Sequence, residues 1–238
     1  MRIFKGEKVN IRAVTAIALA VLVGAFAAFS PLIVYTVREV SGQKTIVVDA
    51  GHGGADAGVV GKTTKVKESE LALVISFLLG DLLKGAGFHV VYTRTNDTML
   101  TGVKADTKKR SDMFSRAKII NDAKADAVVS IHLNFFPHSS RRGAQTFFAK
   151  QNAASFALAT AVQDALNVLN LENTGKEYPA LTAEKYLLTC SPSPSIIVEC
   201  GFLSNPADEQ QLLSADYQLL LAESITRGIL AYFSCKSE

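Results

Sequence analysis

An α/β layer sandwich, with about six strands in one sheet, is the fold predicted for residues 45–238. Short apolar runs of strand length alternate with longer segments whose apolar residues recur at helical spacing. Glycines and polar clusters punctuate the changes. A chain of 238 residues, 48% hydrophobic and 20% charged, has enough apolar material for one ordinary core plus an appendage.

The appendage comes first. Residues 13–37 (AVTAIALAVLVGAFAAFSPLIVYTV) carry no charge and are long enough to cross a bilayer core as a helix. Arg2, Lys5, Lys8 and Arg12 precede this run with Glu7 as the only acid, whereas Arg38 is followed at once by Glu39. The positive-inside bias keeps residues 1–12 in the cytoplasm and exports everything from Arg38 onward, so a single-pass cytoplasmic-membrane location is expected. The small residues around Ala25-Phe26-Ala27 resemble a processing site, and cleavage there would release a secreted protein. The apolar run continues to Val37, which favours an uncleaved anchor. Residues 38–44 read as a linker.

Thr45–Ala50 opens the domain as a strand. Glu68–Gly85 follows as a helix, with Leu71, Leu73, Val74, Phe77, Leu78, Leu82 and Leu83 near one stripe. Gly85 and Gly87 end it, and Phe88–Thr93 is the second strand. Lys104–Asp122 is predicted helical with Met113, Phe114, Ala117, Ile119 and Ile120 as its apolar side. Ala127–Leu133 and Gly143–Ala149 are strands, Ala153–Leu169 is a helix, and Tyr186–Thr189 and Ser195–Cys200 are short strands. Pro206–Phe233 closes the chain as a helix broken near Ser214. Ala55–Lys67 and Leu171–Lys185 are left irregular, and long loops of this kind tend to wall functional clefts.

Composition removes several function classes. A net charge of +3, with no basic block interleaved with aromatics, argues against nucleic acid. Cys190, Cys200 and Cys235 are odd in number and form no C-x-x-C pair, so free, mostly buried thiols are expected.

The chemistry concentrates at TIVVDAGHGG, residues 45–54, where a strand runs into glycines around a histidine. A dinucleotide fingerprint needs G-x-G-x-x-G opening a helix, but here the glycine spacing misses and no helical pattern starts before Glu68. Gly61-Lys62-Thr63 has the last letters of a Walker A loop, yet Asp56 stands where its first glycine belongs. No nucleotide is expected.

A metal is the other reading of His52. Hydrolytic zinc takes about three protein ligands and keeps one position open for water. Of the four histidines, His132 in SIHLN ends a strand just as His52 does, and ligands collect beyond the carboxyl ends of strands in open α/β sheets. Either histidine alone has an ordinary structural explanation. His89 lies early in its strand, far from that edge, and reads as structural; His138 follows Pro137 in a loop. Glu68 opens the first helix from the same edge, where it can serve as a ligand or simply favour the helix dipole. Glu70 points elsewhere on that helix. Glu199 in SIIVECGF ends an otherwise apolar strand, where a carboxylate is costly to desolvate unless a site employs it. Hydrolysis needs such a proton acceptor and donor.

With VDAGHGG, the glutamate opening the next helix, SIHLN and VECGFLSNPADE in this order, the chain resembles the zinc-dependent N-acetylmuramoyl-L-alanine amidases of the Amidase_3 type. The resemblance covers Thr45 to Phe233. It implies a mixed sheet flanked by helices, Zn2+ held by His52, Glu68 and His132, and Glu199 as the catalytic glutamate. The implied substrate is peptidoglycan, cut at the amide between muramic acid and L-alanine. Within the family the chain is most similar to the germination-specific amidases of endospore formers, which take part in forming muramic δ-lactam in the spore cortex. Asp49 and Asp56 then become supports for the ligands, Asn134 a ligand or substrate contact, and Arg141 and Arg142 either contacts for the acidic stem peptide or a solvated surface. Partners are the glycan strands and stem peptides, and the membrane through the N-terminal helix; the need for an accessory activator protein stays open. Leu133 and Phe135 stand where many relatives have alanine, and Glu68-Ser69-Glu70 where Glu-Lys-Asp is more common. A non-catalytic wall-binding protein and a metallopeptidase cutting within the stem peptide are the alternatives.

Overall fold

The computed structural model describes residues 43–235, so the segment expected to span the membrane at 13–37 lies outside the described residues. Among the described residues, no helix is long and apolar enough to cross a membrane. Strands β1 (Thr45–Ala50), β2 (His89–Tyr92), β3 (Ala127–Asn134), β4 (Gln145–Phe148), β5 (Leu181–Thr182) and β6 (Ser195–Phe202) form one sheet. Their order is β2-β1-β3-β6-β4-β5. All neighbours run parallel except β4 against β6, which makes the sheet mixed as expected.

The three central strands show why they read so plainly. A parallel strand between two others is covered on both faces and becomes a continuous apolar run. Ile46, Val48, Val129, Ile131, Ile196 and Val198 face one side, which belongs to the larger core. Val47 and Val128 face the other.

Helices α1 (Glu68–Gly85), α3 (Ala153–Thr174), α4 (Pro206–Leu212) and α5 (Ala215–Cys235) contribute to the first side. Helix α2 (Lys108–Asp122) covers the second. The start of α4 has a direct sequence cause: Asn205 accepts from the N–H groups of Ala207 and Asp208, and Pro206 takes the first helical position. Gly175, in the left-handed region at φ 68°, ends α3.

Five expectations are corrected. The buried stripe of α1 is Leu71, Ala72, Ile75, Leu79 and Leu83, while Val74 and Phe77 are exposed, because the helix packs one residue round from the stripe read in the sequence. The buried face of α2 is mostly polar, namely Ser111, Asp112, Ser115, Arg116, Ala117 and Ile120, and that helix starts at Lys108 with Thr107 as its cap. Tyr186–Leu188 is a single 3-10 turn instead of a strand. Leu171–Lys185 is not wholly irregular, since α3 runs on to Thr174 and Leu181–Thr182 pairs with β4 at the sheet edge. The three cysteines are free, but only Cys200 is buried.

Candidate active site

The carboxyl ends of β1, β3 and β6 meet the start of α1, and the predicted residues gather there. His52 follows β1 with φ 58°, a left-handed backbone uncommon for a residue with a Cβ. Its Nε2 lies 3.3 Å from Glu68 Oε1. His132, near the end of β3, brings Nδ1 to 2.9 Å from the same oxygen. The two imidazoles stand edge to face with ring centroids 5.0 Å apart.

Glu68 is buried at 2% exposure and wholly engaged. The Val59 N–H donates to its Oε2 at 2.8 Å, and the Leu133 N–H donates to Oε1 at 3.0 Å. Burial opposes the charge, but hydrogen bonds and charge from His132 and His52 outweigh it and hold the carboxyl well below the usual range. Burial likewise opposes protonation of His52, yet Glu68 and then Asp56 raise its pKa. Asp56 Oδ1 comes within 3.1 Å of His52 Nδ1, short of proper hydrogen-bond geometry.

Two glycines make the room. A Cβ on Gly51 would fall on the His132 ring, and one on Gly58, whose φ is 68°, would fall on the Glu68 carboxylate. The ligand donors of His52, Glu68 and His132 all lie within 4.8 Å of one another. Two imidazole nitrogens and a carboxylate oxygen converging this way match what a hydrolytic zinc ion requires.

Glu199 is the register partner of His132 on β6. Its Oε2 is closed off from solvent and has no hydrogen-bond partner among the described residues. Burial pushes its pKa up; the charge on His132 opposes this and that on Glu68 adds to it.

A model of the Amidase_3 family, described as N-acetylmuramoyl-L-alanine amidase, matches residues 46–231. The chain belongs to this family. It is an enzyme, an N-acetylmuramoyl-L-alanine amidase acting on peptidoglycan. Among Amidase_3 relatives, it is 37% identical over 198 residues to the germination-specific N-acetylmuramoyl-L-alanine amidase of Bacillus subtilis, covering 82% of each chain. It is 25% identical to the amidase AmiA of Escherichia coli, over 82% of this chain and 78% of that one. The solved structure of the CwlD amidase from Clostridioides difficile, in complex with the GerS lipoprotein, is similar with a TM-score of 0.74 and 34% identity. That match covers 81% of this chain and all of the other.

The remaining predicted residues divide. Asp56 joins the site. Asp49 does not touch the histidines or Glu68; it is fully buried and accepts from Thr93 Oγ1 at 2.6 Å, Ser130 Oγ at 2.5 Å and Arg116 Nη1 at 2.6 Å. Asn134 Oδ1 accepts from the Phe135 N–H, so this side chain serves its own turn. Arg142 pairs with Asp208, and Arg141 lies over the Phe136 and Phe202 rings. Glu70 pairs with Lys67 on the surface, His89 is exposed at the opposite end of the sheet, and His138 contacts Ser140.

Sequence reasoning missed Arg94 and Arg116. Arg116 is buried, donating to Asp49, Asp112 and the carbonyls of Ala50 and His52. The spacing of Asp112 and Arg116, four apart on one helix face, was the signal available. The Walker-like loop does cradle an anion, but an internal one. The N–H groups of Thr63 and Thr64 and the Thr64 hydroxyl donate to Glu209 of α4.

Proposed function

We propose that the chain is a zinc amidase in which His52, Glu68 and His132 hold the ion and Glu199 moves the proton. The observation that carries this reading is the convergence of His52 Nε2, Glu68 Oε1 and His132 Nδ1 beside a carboxylate with an unpartnered buried oxygen. Zinc bound there would polarise the scissile carbonyl, lower the pKa of the attacking water and stabilise the oxyanion.

The protein's own residues do the rest. Val59 engages Glu68 Oε2 and leaves Oε1 towards the histidines. Asp56 steadies His52 from the Nδ1 side. Glu199 takes the water's proton and delivers it to the departing L-alanine nitrogen, so the amide C–N bond breaks as the lactyl carboxylate forms. Burial of its Oε2 keeps the acceptor from being satisfied by bulk water.

Residues 45–238 are the catalytic domain in this reading, linked by residues 38–44 to an anchor at 13–37 with residues 1–12 in the cytoplasm. The substrate is the wall on the outer side of the membrane. Likeness to the germination-specific amidase of Bacillus subtilis supports a role in spore cortex maturation, with muramic δ-lactam as the downstream product. A complex of a similar amidase with a lipoprotein supports an accessory protein as partner.

Mass spectrometry of peptidoglycan digested by the full-length chain tests the bond cleaved. Free stem peptides beginning with L-alanine are expected. Truncated stems still joined to muramic acid would replace this reading with the stem-peptide metallopeptidase.

A further inference from the structure

Arg94 has no part in the chemistry above, yet it is buried at 3% exposure beside it. Its guanidinium donates to four carbonyl oxygens. Nε reaches Ala50 at 2.8 Å, Nη1 reaches Asn96 at 2.9 Å, and Nη2 reaches both Gly51 at 2.8 Å and Ser69 at 2.7 Å. Gly51 immediately precedes His52, and Ser69 immediately follows Glu68. One nitrogen therefore ties the backbone beside one proposed ligand to the backbone beside another.

We propose that Arg94 is a positioning residue, a clamp that fixes the spacing of His52 and Glu68 so that their donors meet at the distance a metal needs. The inference rests on the ligand set proposed above. Three features carry it. The left-handed backbone at His52 is intrinsically disfavoured and persists only if its surroundings over-determine it. Backbone bonds from Gly51 to Ile131 and between Gly53 and Asp56 restrain the turn, and side chains hold its carbonyls: Arg94 those of Ala50 and Gly51, Arg116 those of Ala50 and His52. A buried guanidinium is also an expensive way to fill space, since an apolar side chain would do so without desolvating a charge. Finally, a planar fork sends its donors in fixed directions, so the distance between Gly51 and Ser69 is set by the guanidinium itself. A lysine carries the charge but cannot reproduce that geometry.

The experiment uses the full-length chain in detergent, with Arg94→Lys and Arg94→Gln. Zinc affinity is read by competition with a chromophoric chelator, and the visible spectrum of the cobalt-loaded protein reports ligand geometry. Both variants are expected to fold, to bind zinc about 10- to 100-fold more weakly, and to show shifted cobalt bands, as other supports of metal ligands do when removed. Wild-type affinity with an unchanged cobalt spectrum would overturn the proposal, whatever happens to Tm, because a residue that merely stabilises the core changes Tm alone. His52→Ala is the separate control. If it keeps full zinc affinity, the ligand set itself is wrong and the clamp falls with it. Should neither Arg94 variant fold, Asp97→Asn carries the test. Asp97 is about one-third exposed; its Oδ1 accepts from the Gly54 N–H at 3.0 Å and lies 3.9 Å from Arg94 Nη1, so it ties the turn after His52 to the clamp. Its loss should weaken zinc by about twofold, as befits a partly exposed ion pair, and an unchanged affinity would overturn the clamp.

Discussion

His132 and Glu199 are partners in register on adjacent parallel strands, so the imidazole and the carboxylate leave the same face of the sheet side by side. The pairing couples a proposed ligand to the proposed proton carrier through the central strands of the sheet. Glu199→Gln preserves the shape and removes the base. Hydrolysis should fall about a hundred- to ten-thousand-fold while zinc content stays at the wild-type level. Muropeptide turnover and metal analysis on one preparation check this; retained turnover would remove Glu199 from the mechanism.

Removing the metal should cost both activity and stability. Dialysis against a strong chelator is expected to abolish hydrolysis, and added zinc to restore it. Free zinc at a hundred times Kd should raise the free energy of unfolding by about 2.7 kcal/mol, visible as a higher Tm. His132→Ala should show neither the loss on chelation nor the gain on reloading.

Gly51 offers a more local test. Its Cβ would land on the His132 ring, so Gly51→Ala should weaken zinc binding and activity by displacing one imidazole. Gly85→Ala is the contrast, because nothing lies within 4 Å of a Cβ there and φ is not left-handed. That change should leave activity intact and stabilise the helix end by up to about 1 kcal/mol. Thermal melts and zinc titrations of the two variants separate the outcomes.

Asp49 predicts an acid limb of stability. Burial alone would raise its pKa, but the Arg116 guanidinium, then the Ser130 and Thr93 hydroxyls, hold it at about 2 against an ordinary value of 3.8. The native state therefore releases this proton more readily than the unfolded chain. The stabilisation is complete above about pH 4 and drains away as pH falls towards 2, a loss of about 2 kcal/mol. Denaturant titrations across that window should show the decline in wild type and a shallower one in Asp49→Asn, where Glu68 still contributes, and that variant starts less stable at neutral pH.

What could be read from the sequence follows from burial. Parallel strands covered on both faces, as β1, β3 and β6 are, announce themselves as unbroken apolar runs. Residues that interrupt such a run at its end, His52, His132 and Glu199, stand out for the same reason. Elements stabilised by only a few contacts do not. Strand β5 is two exposed residues at an edge, and the 3-10 turn at Tyr186–Leu188 is too short to have a period. Helix α2 misled because its inner face is polar, with Arg116 paired to both Asp112 and Asp49, while Met113 and Phe114 are only partly buried. Arg94 sits in TRTNDT, which is indistinguishable in composition from any surface turn. Its importance depends on four carbonyls brought together only by folding.

The loop at Gly61–Thr64 has one further consequence. Its amide nest already holds an anion, the Glu209 carboxylate, tethered to the same chain by α4. A tethered group competes at an effective concentration of about millimolar or more, well beyond what a stray phosphate or nucleotide brings from solution. The loop that leads into Glu68 is thus self-liganded. It takes its shape during folding, and no visiting anion has to be present for the site to be ready.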